Sequence, residues 1–236
     1  MVQGSNLKVY NTLMRKNIII TGEPKSGKST LLKNLIADIP NGVGFVTNEM
    51  LGENGRVGFE IETHARQKAI LAHVDFETPN KVSKYFVNVN NLESILPSVS
   101  QPDNSHILYI DEIGQMQLFS EKFKELVLHY LGSPNTCIVT LSYIFENDFT
   151  QSLKNRKDII LVKISAENRE ERLVFITQIL KKIEKAKKYV SEPERFKIEE
   201  NNVELRSEHG TRYLTLVGKD LNCTCDFSNS MGYAVT

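Results

Sequence analysis

No apolar run in this 236-residue sequence approaches the ~18 to 20 residues that a membrane-crossing helix requires, which excludes a helical span. Nor is there net charge. Lysine plus arginine and aspartate plus glutamate number 29 each, so no global field draws the chain to nucleic acid or to an anionic membrane, and only local patches are left for such partners. Cysteine is scarce, with Cys137, Cys223 and Cys225 alone, and the opening stretch "MVQGSNLKVYNTLMRKN" has neither a continuous apolar core nor a signal-cleavage pattern. A reducing, cytoplasmic setting is therefore expected. Cys137, inside "TCIVTL", reads as a small core residue. No internal repeat is evident, and 40% hydrophobic with 25% charged residues is the composition of an ordinary soluble protein. At this length one main core with at most a small appendage is expected.

What is present is a series of short apolar runs rich in β-branched residues: Ile18 to Thr21, Gly44 to Thr47, Gly58 to Ile61, Ile70 to Val74, Tyr85 to Val89, Ile107 to Ile110, Thr136 to Leu141 and Ile159 to Ile164. These are predicted strands. Helical patterns fall at Lys28 to Ala37, Leu92 to Leu96, Leu118 to Tyr130, Phe145 to Asn155 and Glu167 to Lys187; the last sets Leu173, Ile176, Ile179, Leu180 and Ile183 on one face. Strands alternating with helices predict an α/β fold, a doubly wound and mostly parallel sheet. The strand signals crowded between residues 43 and 89, without long helices, predict an antiparallel insertion at one sheet edge. Near residue 190 the chain turns charged and poor in large apolar residues, in "KKIEKAKKYVSEPERFKIEENN". The expected organisation is a nucleotide-binding domain over residues 1–188, a linker over 189–200 and a small C-terminal β appendage over 201–236. The lysines before the boundary read as a solvated helix end favoured by the macrodipole, with nucleic-acid contact as the alternative.

The chemistry is carried by "TGEPKSGKST", where Gly22-x-x-x-x-Gly27-Lys28-Ser29 satisfies the Walker A pattern between a predicted strand and a predicted helix. Glycines let the backbone of Gly22, Glu23, Pro24, Lys25, Ser26 and Gly27 curl so that several of its amides face one point, where a helix N-terminus adds partial positive charge. Lys28 is expected to reach the β- and γ-phosphates, Ser29 to give its hydroxyl oxygen to Mg2+, and Thr30 to bond the α-phosphate. A second anchor for the metal is expected in "HILYIDEIG", an apolar strand ending in Asp111, with Glu112 placed to orient or deprotonate the attacking water.

"TGEPKSGKSTLL", "GFVTNEMLGENGRVGFEIET", "AILAHVDF", "SKYFVNVNNLESI", "YIDEIGQMQL" and "SAENREERL", in that order, resemble the archaeal, bacterial and vertebrate nucleoside-triphosphatase family, called cancer-related nucleoside-triphosphatase in animals. The resemblance covers roughly residues 16 to 183 and implies a compact P-loop NTPase domain that hydrolyses ATP, GTP and other nucleoside triphosphates slowly and with little base preference. It also implies that the loops around Arg56 and the Asn168-Arg169 pair lie near the nucleotide. The family usually has glycine where Lys25 stands, and lysine and glutamate where Gln115 and Gln117 stand. Lys25 either replaces that missing lysine in part or is a solvent-facing loop residue. An arginine assisting the transition state has four candidates, Arg56, Arg66, Arg156 and Arg169. Arg56 is either part of a flap over the nucleotide or a hairpin arginine in water, and Arg169 equally suits a surface pair with a nearby Glu.

The C-terminal run ending in "CTC" resembles the first half of a SWIM zinc module, with Cys223 and Cys225 matching its first pair. Structural zinc takes four ligands, and no second pair follows; His209 lies upstream and out of pattern. The module is truncated, completed by another chain, or a metal-free hairpin, and this fragment is a second, weak pointer to a nucleic-acid partner. The function expected is Mg2+-dependent hydrolysis of nucleoside triphosphates, in a chain for which a monomer is favoured. The alternatives are a nucleotide or polynucleotide kinase and a nucleotide-gated module that binds DNA or protein with little turnover.

Overall fold

Three consecutive isoleucines, Ile18, Ile19 and Ile20, are fully buried because β1 (Asn17–Gly22) is paired in parallel along both of its edges. The computed structural model describes residues 15–199, 202–208, 210, 212–216 and 222–223. After β1 come α1 (Lys28–Ala37), β2 (Gly42–Gly52), β3 (Gly55–Thr63), β4 (Lys68–His73), β5 (Asn80–Val82), β6 (Tyr85–Val87) and α2 (Val89–Ile95). Then follow β7 (Ile107–Ile113), α3 (Glu121–Gly132), β8 (Thr136–Ser142), α4 (Asp148–Lys154), β9 (Ile159–Ile164) and α5 (Arg169–Val190). The strands form one sheet in the order β5-β6-β4-β3-β2-β7-β8-β1-β9. From β2 through β7, β8 and β1 to β9 every pairing is parallel. From β2 outward through β3, β4, β6 and β5 every pairing is antiparallel. The edge insertion therefore stands where the dense strand signals placed it, and the architecture is the doubly wound α/β fold of P-loop NTPases.

Burial explains the pattern. Ile19, Phe45, Leu108, Ile110, Val139 and Leu141 join Leu92 and Ile95 of α2 and Phe123, Val127 and Tyr130 of α3 in one core, all without exposure. α1 turns Leu31, Leu32 and Leu35 inward and packs on β1, β7 and β8; each such side chain stabilises the fold by about 1.5–3 kcal/mol. Cys137 is fully buried, as a small core residue, and burial pushes its thiol far up.

The helices start in two different ways. Asn88, Ser120 and Asn147 cap α2, α3 and α4 by accepting a hydrogen bond from a first-turn amide. α1 has no side-chain cap, and its N-cap, Gly27, is left-handed at φ 90°. Its first amides are thus left to another acceptor.

Contacts divide the chain into two compact units, Met1–Gln178 and Ile179–Thr236. The second contains an antiparallel sheet in the order β10-β11-β12-β13, with β10 Phe196–Glu199, β11 Asn202–Arg206, β12 Arg212–Leu216 and β13 Asn222–Cys223. The segment read as a linker, 189–200, holds a 3-10 turn, Pro193–Arg195, and the strand β10. Of the suggested zinc residues, Cys225 and His209 lie outside the described residues, and Cys223 is described by its backbone alone. Among the described residues no helix is long and apolar enough to cross a membrane.

Candidate active site

The loop between β1 and α1 is shaped by two glycines. A Cβ on Gly22 would lie 2.3 Å from the Ile164 carbonyl oxygen and 2.9 Å from Ser26 Oγ, so the strand can leave the sheet only at a residue without a side chain. At Gly27 the φ of 90° permits the turn into α1, and a Cβ there would meet Arg169 Cδ and Nη1 at 2.8 Å. Lys28 Nζ donates to the carbonyl oxygens of Gly22 (2.9 Å) and Glu23 (3.2 Å), bracing the loop from inside. Glu23, Pro24 and Lys25 form its exposed apex, and Thr30 is exposed on the first turn of α1.

Lys25 has φ 66°, the left-handed region that L side chains other than Asn and Asp enter at a cost of roughly 1–2 kcal/mol. The backbone conformation accounts for glycine being the usual residue here in the family that the sequence resembles. Lys25→Gly is expected to raise stability by about 1 kcal/mol, part of the gain being offset by the freer unfolded chain. A thermal melt of the two proteins checks this, and a lower melting temperature for the glycine variant would contradict it.

Asp111 comes to the loop because β7 lies beside β8, the neighbour of β1. Val46 of β2 pairs with Asp111, and the ladder to β8 is interrupted between Ile110 and Ile113, so Asp111 and Glu112 sit where the strand leaves its regular pairing. Asp111 Oδ1 accepts from Ser29 Oγ at 3.0 Å and from Thr140 Oγ1 at 2.5 Å. Its backbone oxygen accepts from Thr47 Oγ1 at 2.6 Å, and Thr47 Oγ1 in turn accepts from Gln117 Nε2 at 3.3 Å. The other carboxylate oxygen, Oδ2, is buried without a hydrogen-bond partner. Burial pushes the Asp111 carboxyl above its ordinary range, against the hydrogen bonds from Thr140 and Ser29 and the charges of Lys33 and Lys28. Glu112 is also raised, by burial and then by the Asp111 charge, with Lys28 pulling the other way.

A hard divalent cation would fit an unpartnered buried carboxylate oxygen beside a P-loop serine, Ser29 and Asp111 being of the right donor type. Thr140 was not anticipated, although a hydroxyl near the end of the apolar run "TCIVTLS" was its signal. Thr47 had no such signal, since only the β2–β7 pairing brings it to Asp111.

The four arginine candidates separate. Arg66, in the turn after β3, pairs with Glu62, and Arg156, just before β9, pairs with Asp158 and bonds the Leu131 carbonyl. Both lie at the end of the parallel strands opposite the loop. Arg56 faces Leu51, five residues along β2 from the partner of Asp111, or about 16 Å at strand spacing. It is held there by Glu49 and by Tyr85 Oη (2.9 Å), with its guanidinium 4.8 Å from the Phe59 ring centre. Arg169 alone of the four lies against Gly27, its nearest carboxylate being Glu170 at 3.5 Å. Asn168 shapes this approach: its Oδ1 accepts from the Ser165 amide at 2.8 Å and its carbonyl accepts from the Arg172 amide at 2.9 Å, so it starts α5.

Comparison with known proteins agrees with this geometry. A family model described as NTPase matches residues 17–180. Nucleoside-triphosphatase THEP1 of Thermotoga sp. (strain RQ2) is 37% identical over 166 residues, spanning 70% of this chain and 95% of that protein. The cancer-related nucleoside-triphosphatase of Homo sapiens is 30% identical over 178 residues, 68% of this chain and 94% of its own. Among solved structures, the crystal structure of THEP1 from the hyperthermophile Aquifex aeolicus superposes with a TM-score of 0.63 at 31% identity, covering 70% of this chain and 98% of that one. With a Walker A loop facing a strand-end Asp-Glu pair on this fold, the chain belongs to the NTPase family of THEP1 and the cancer-related nucleoside-triphosphatases.

Proposed function

We propose that the chain hydrolyses nucleoside triphosphates to the diphosphate and inorganic phosphate, with Mg2+ as the metal. One observation carries the reading: the 3.0 Å contact between Ser29 Oγ and Asp111 Oδ1, which joins the phosphate loop to a carboxylate whose second oxygen has no partner. Lys28 and the uncapped amides of α1 neutralise phosphate charge. Ser29 and Asp111 would hold the cation, which would supply positive charge to the triphosphate. Glu112 takes the proton of the attacking water, and burial raises its affinity for a proton above that of an ordinary glutamate. Arg169, beside Gly27, adds positive charge where the equatorial oxygens develop negative charge. Glu23, Pro24, Lys25, Ser26 and Thr30 line the phosphate path through their backbone, a mode of recognition that ignores the base. The setting we infer is cytoplasmic.

The relatives named above carry hydrolase names, and no observation favours a kinase or a nucleotide-gated binding module. Phosphate release by the full chain from ATP, GTP, CTP and UTP tests the reading. All four are expected to be hydrolysed at comparable rates with Mg2+ and none in EDTA. Product formed only after a nucleoside or a DNA end is added would transfer the assignment to a kinase.

A further inference from the structure

Gln117 lies in the short 3-10 turn Gln117–Phe119 and is only 3% exposed, which is unusual for a glutamine. Its orientation is settled by a chain of hydrogen bonds. Thr47 Oγ1 gives its single hydrogen to the Asp111 carbonyl at 2.6 Å, so toward Gln117 it can only accept, and the group that meets it at 3.3 Å must be the amide NH2. Gln117 Oε1 is therefore turned away from Thr47, as an acceptor. It faces the same point as Glu112: the position of a Cβ on Gly114 lies 2.9 Å from Glu112 Oε1 and 3.2 Å from Gln117 Oε1. Gly114 has no left-handed backbone to explain it. What its missing side chain does is let two acceptor oxygens approach its Cα together, since a Cβ would crowd Glu112 Oε1.

We propose that Glu112 and Gln117 together bind the attacking water above Gly114, each accepting one of its hydrogens, so that its lone pair is turned outward. Two acceptors and no donor are what a water needs to be held by both hydrogens, and fixing both removes the rotational freedom that a single contact leaves. The water oxygen then forms its bond to the γ-phosphorus. The bond from that phosphorus to the β–γ bridging oxygen breaks, and its electron pair leaves with the diphosphate. One water proton passes to the Glu112 carboxylate and the other stays on the new phosphate. Gln117 contributes no proton. A methyl group on Gly114 would press on Glu112 Oε1 at 2.9 Å and Gln117 Oε1 at 3.2 Å and displace the two oxygens that hold the water.

The inference rests on the hydrolase reading, and the test separates the two. Full-length wild type, Gln117→Leu, Gln117→Glu, Gly114→Ala and Glu112→Gln are compared for kcat and KM of ATP hydrolysis, for binding of a fluorescent non-hydrolysable ATP analogue, and for melting temperature. Gln117→Leu and Gly114→Ala are expected to lower kcat by about tenfold to 10²-fold while analogue affinity stays within about threefold. Gln117→Glu keeps an acceptor oxygen at the same reach but loses the N–H given to Thr47 and adds a third carboxylate, so it is expected to recover only part of the kcat that Gln117→Leu loses, at pH 8. If kcat survives in Gln117→Leu but falls in Glu112→Gln, the shared water site is wrong and the hydrolase reading stands. Parallel losses of affinity and melting temperature in Gln117→Leu would make Gln117 a packing residue and overturn the proposal. A wild-type chain that releases no phosphate from any triphosphate removes both readings at once. Should Gly114→Ala melt early, the Leu and Glu variants at position 117 decide.

Discussion

Glu112→Gln is expected to lower kcat for ATP hydrolysis by about 10²- to 10³-fold, within the range assigned to a positioned general base, while the dissociation constant of a non-hydrolysable analogue changes less than about threefold. The split follows from geometry. Glu112 stands at the break in the β7–β8 ladder and, among the described residues, has no hydrogen bond to the phosphate loop, which Lys28 braces through the carbonyls of Gly22 and Glu23. Glutamine keeps the size and the acceptor oxygen but cannot take a proton. Single-turnover phosphate release alongside equilibrium binding makes the comparison, and an unchanged kcat would remove Glu112 from the chemistry.

Asp111→Asn is the second large effect, with opposite signs on activity and stability. Activity should fall by about 10²-fold or more, since the variant keeps the shape but loses the charge that holds the cation. Stability of the metal-free, nucleotide-free protein should rise by about 1 kcal/mol, because a carboxylate that is 1% exposed, with one oxygen unpartnered, is costly to keep in the fold. The pH dependence has a definite sign. Burial raises the folded pKa of Asp111, so between the unfolded value near 3.9 and the raised folded value the native state binds the extra proton. Stability contributed by Asp111 is therefore full below the unfolded pKa and is lost as pH rises through the folded one. Glu112 behaves alike, its raised value coming from burial first and from Asp111 second. The stability advantage of Asp111→Asn should then be small in acid and widen toward neutrality, as read by denaturant melts in EDTA. A variant less stable than wild type at pH 7 would contradict this account.

These two predictions concern residues that adjacent positions in the chain reveal: an apolar run ending in two carboxylates needs no partner strand to be noticed. Arg56 shows the converse. A glycine-rich stretch around an arginine suits a flap, yet the strand register carries Arg56 well past Asp111, into the company of Glu49, Tyr85 and Phe59. The family resemblance singled out Arg169 with Asn168, whereas nothing local set it above Arg156. Only the crossing from β9 into α5 brings one of them against Gly27 and leaves the other at the far end of the sheet. Gln117 looked like a departure from a family pattern, and its buried placement beside Thr47 was invisible until β2 and β7 were paired.

By itself the order of residues determined the phosphate loop, the strand that precedes it, the helix that follows, the Asp111-Glu112 pair and the α/β alternation, because each depends on interactions within a dozen residues: turn geometry, helix entry, the periodicity of burial. Tertiary structure alone decided that Thr47 and Thr140 meet Asp111 and what faces Gly114. The Asp111 contacts join strands separated by tens of residues in the chain, and the orientation of Gln117 depends on Thr47 of another strand, so both follow from sheet order and register, which local patterning does not encode.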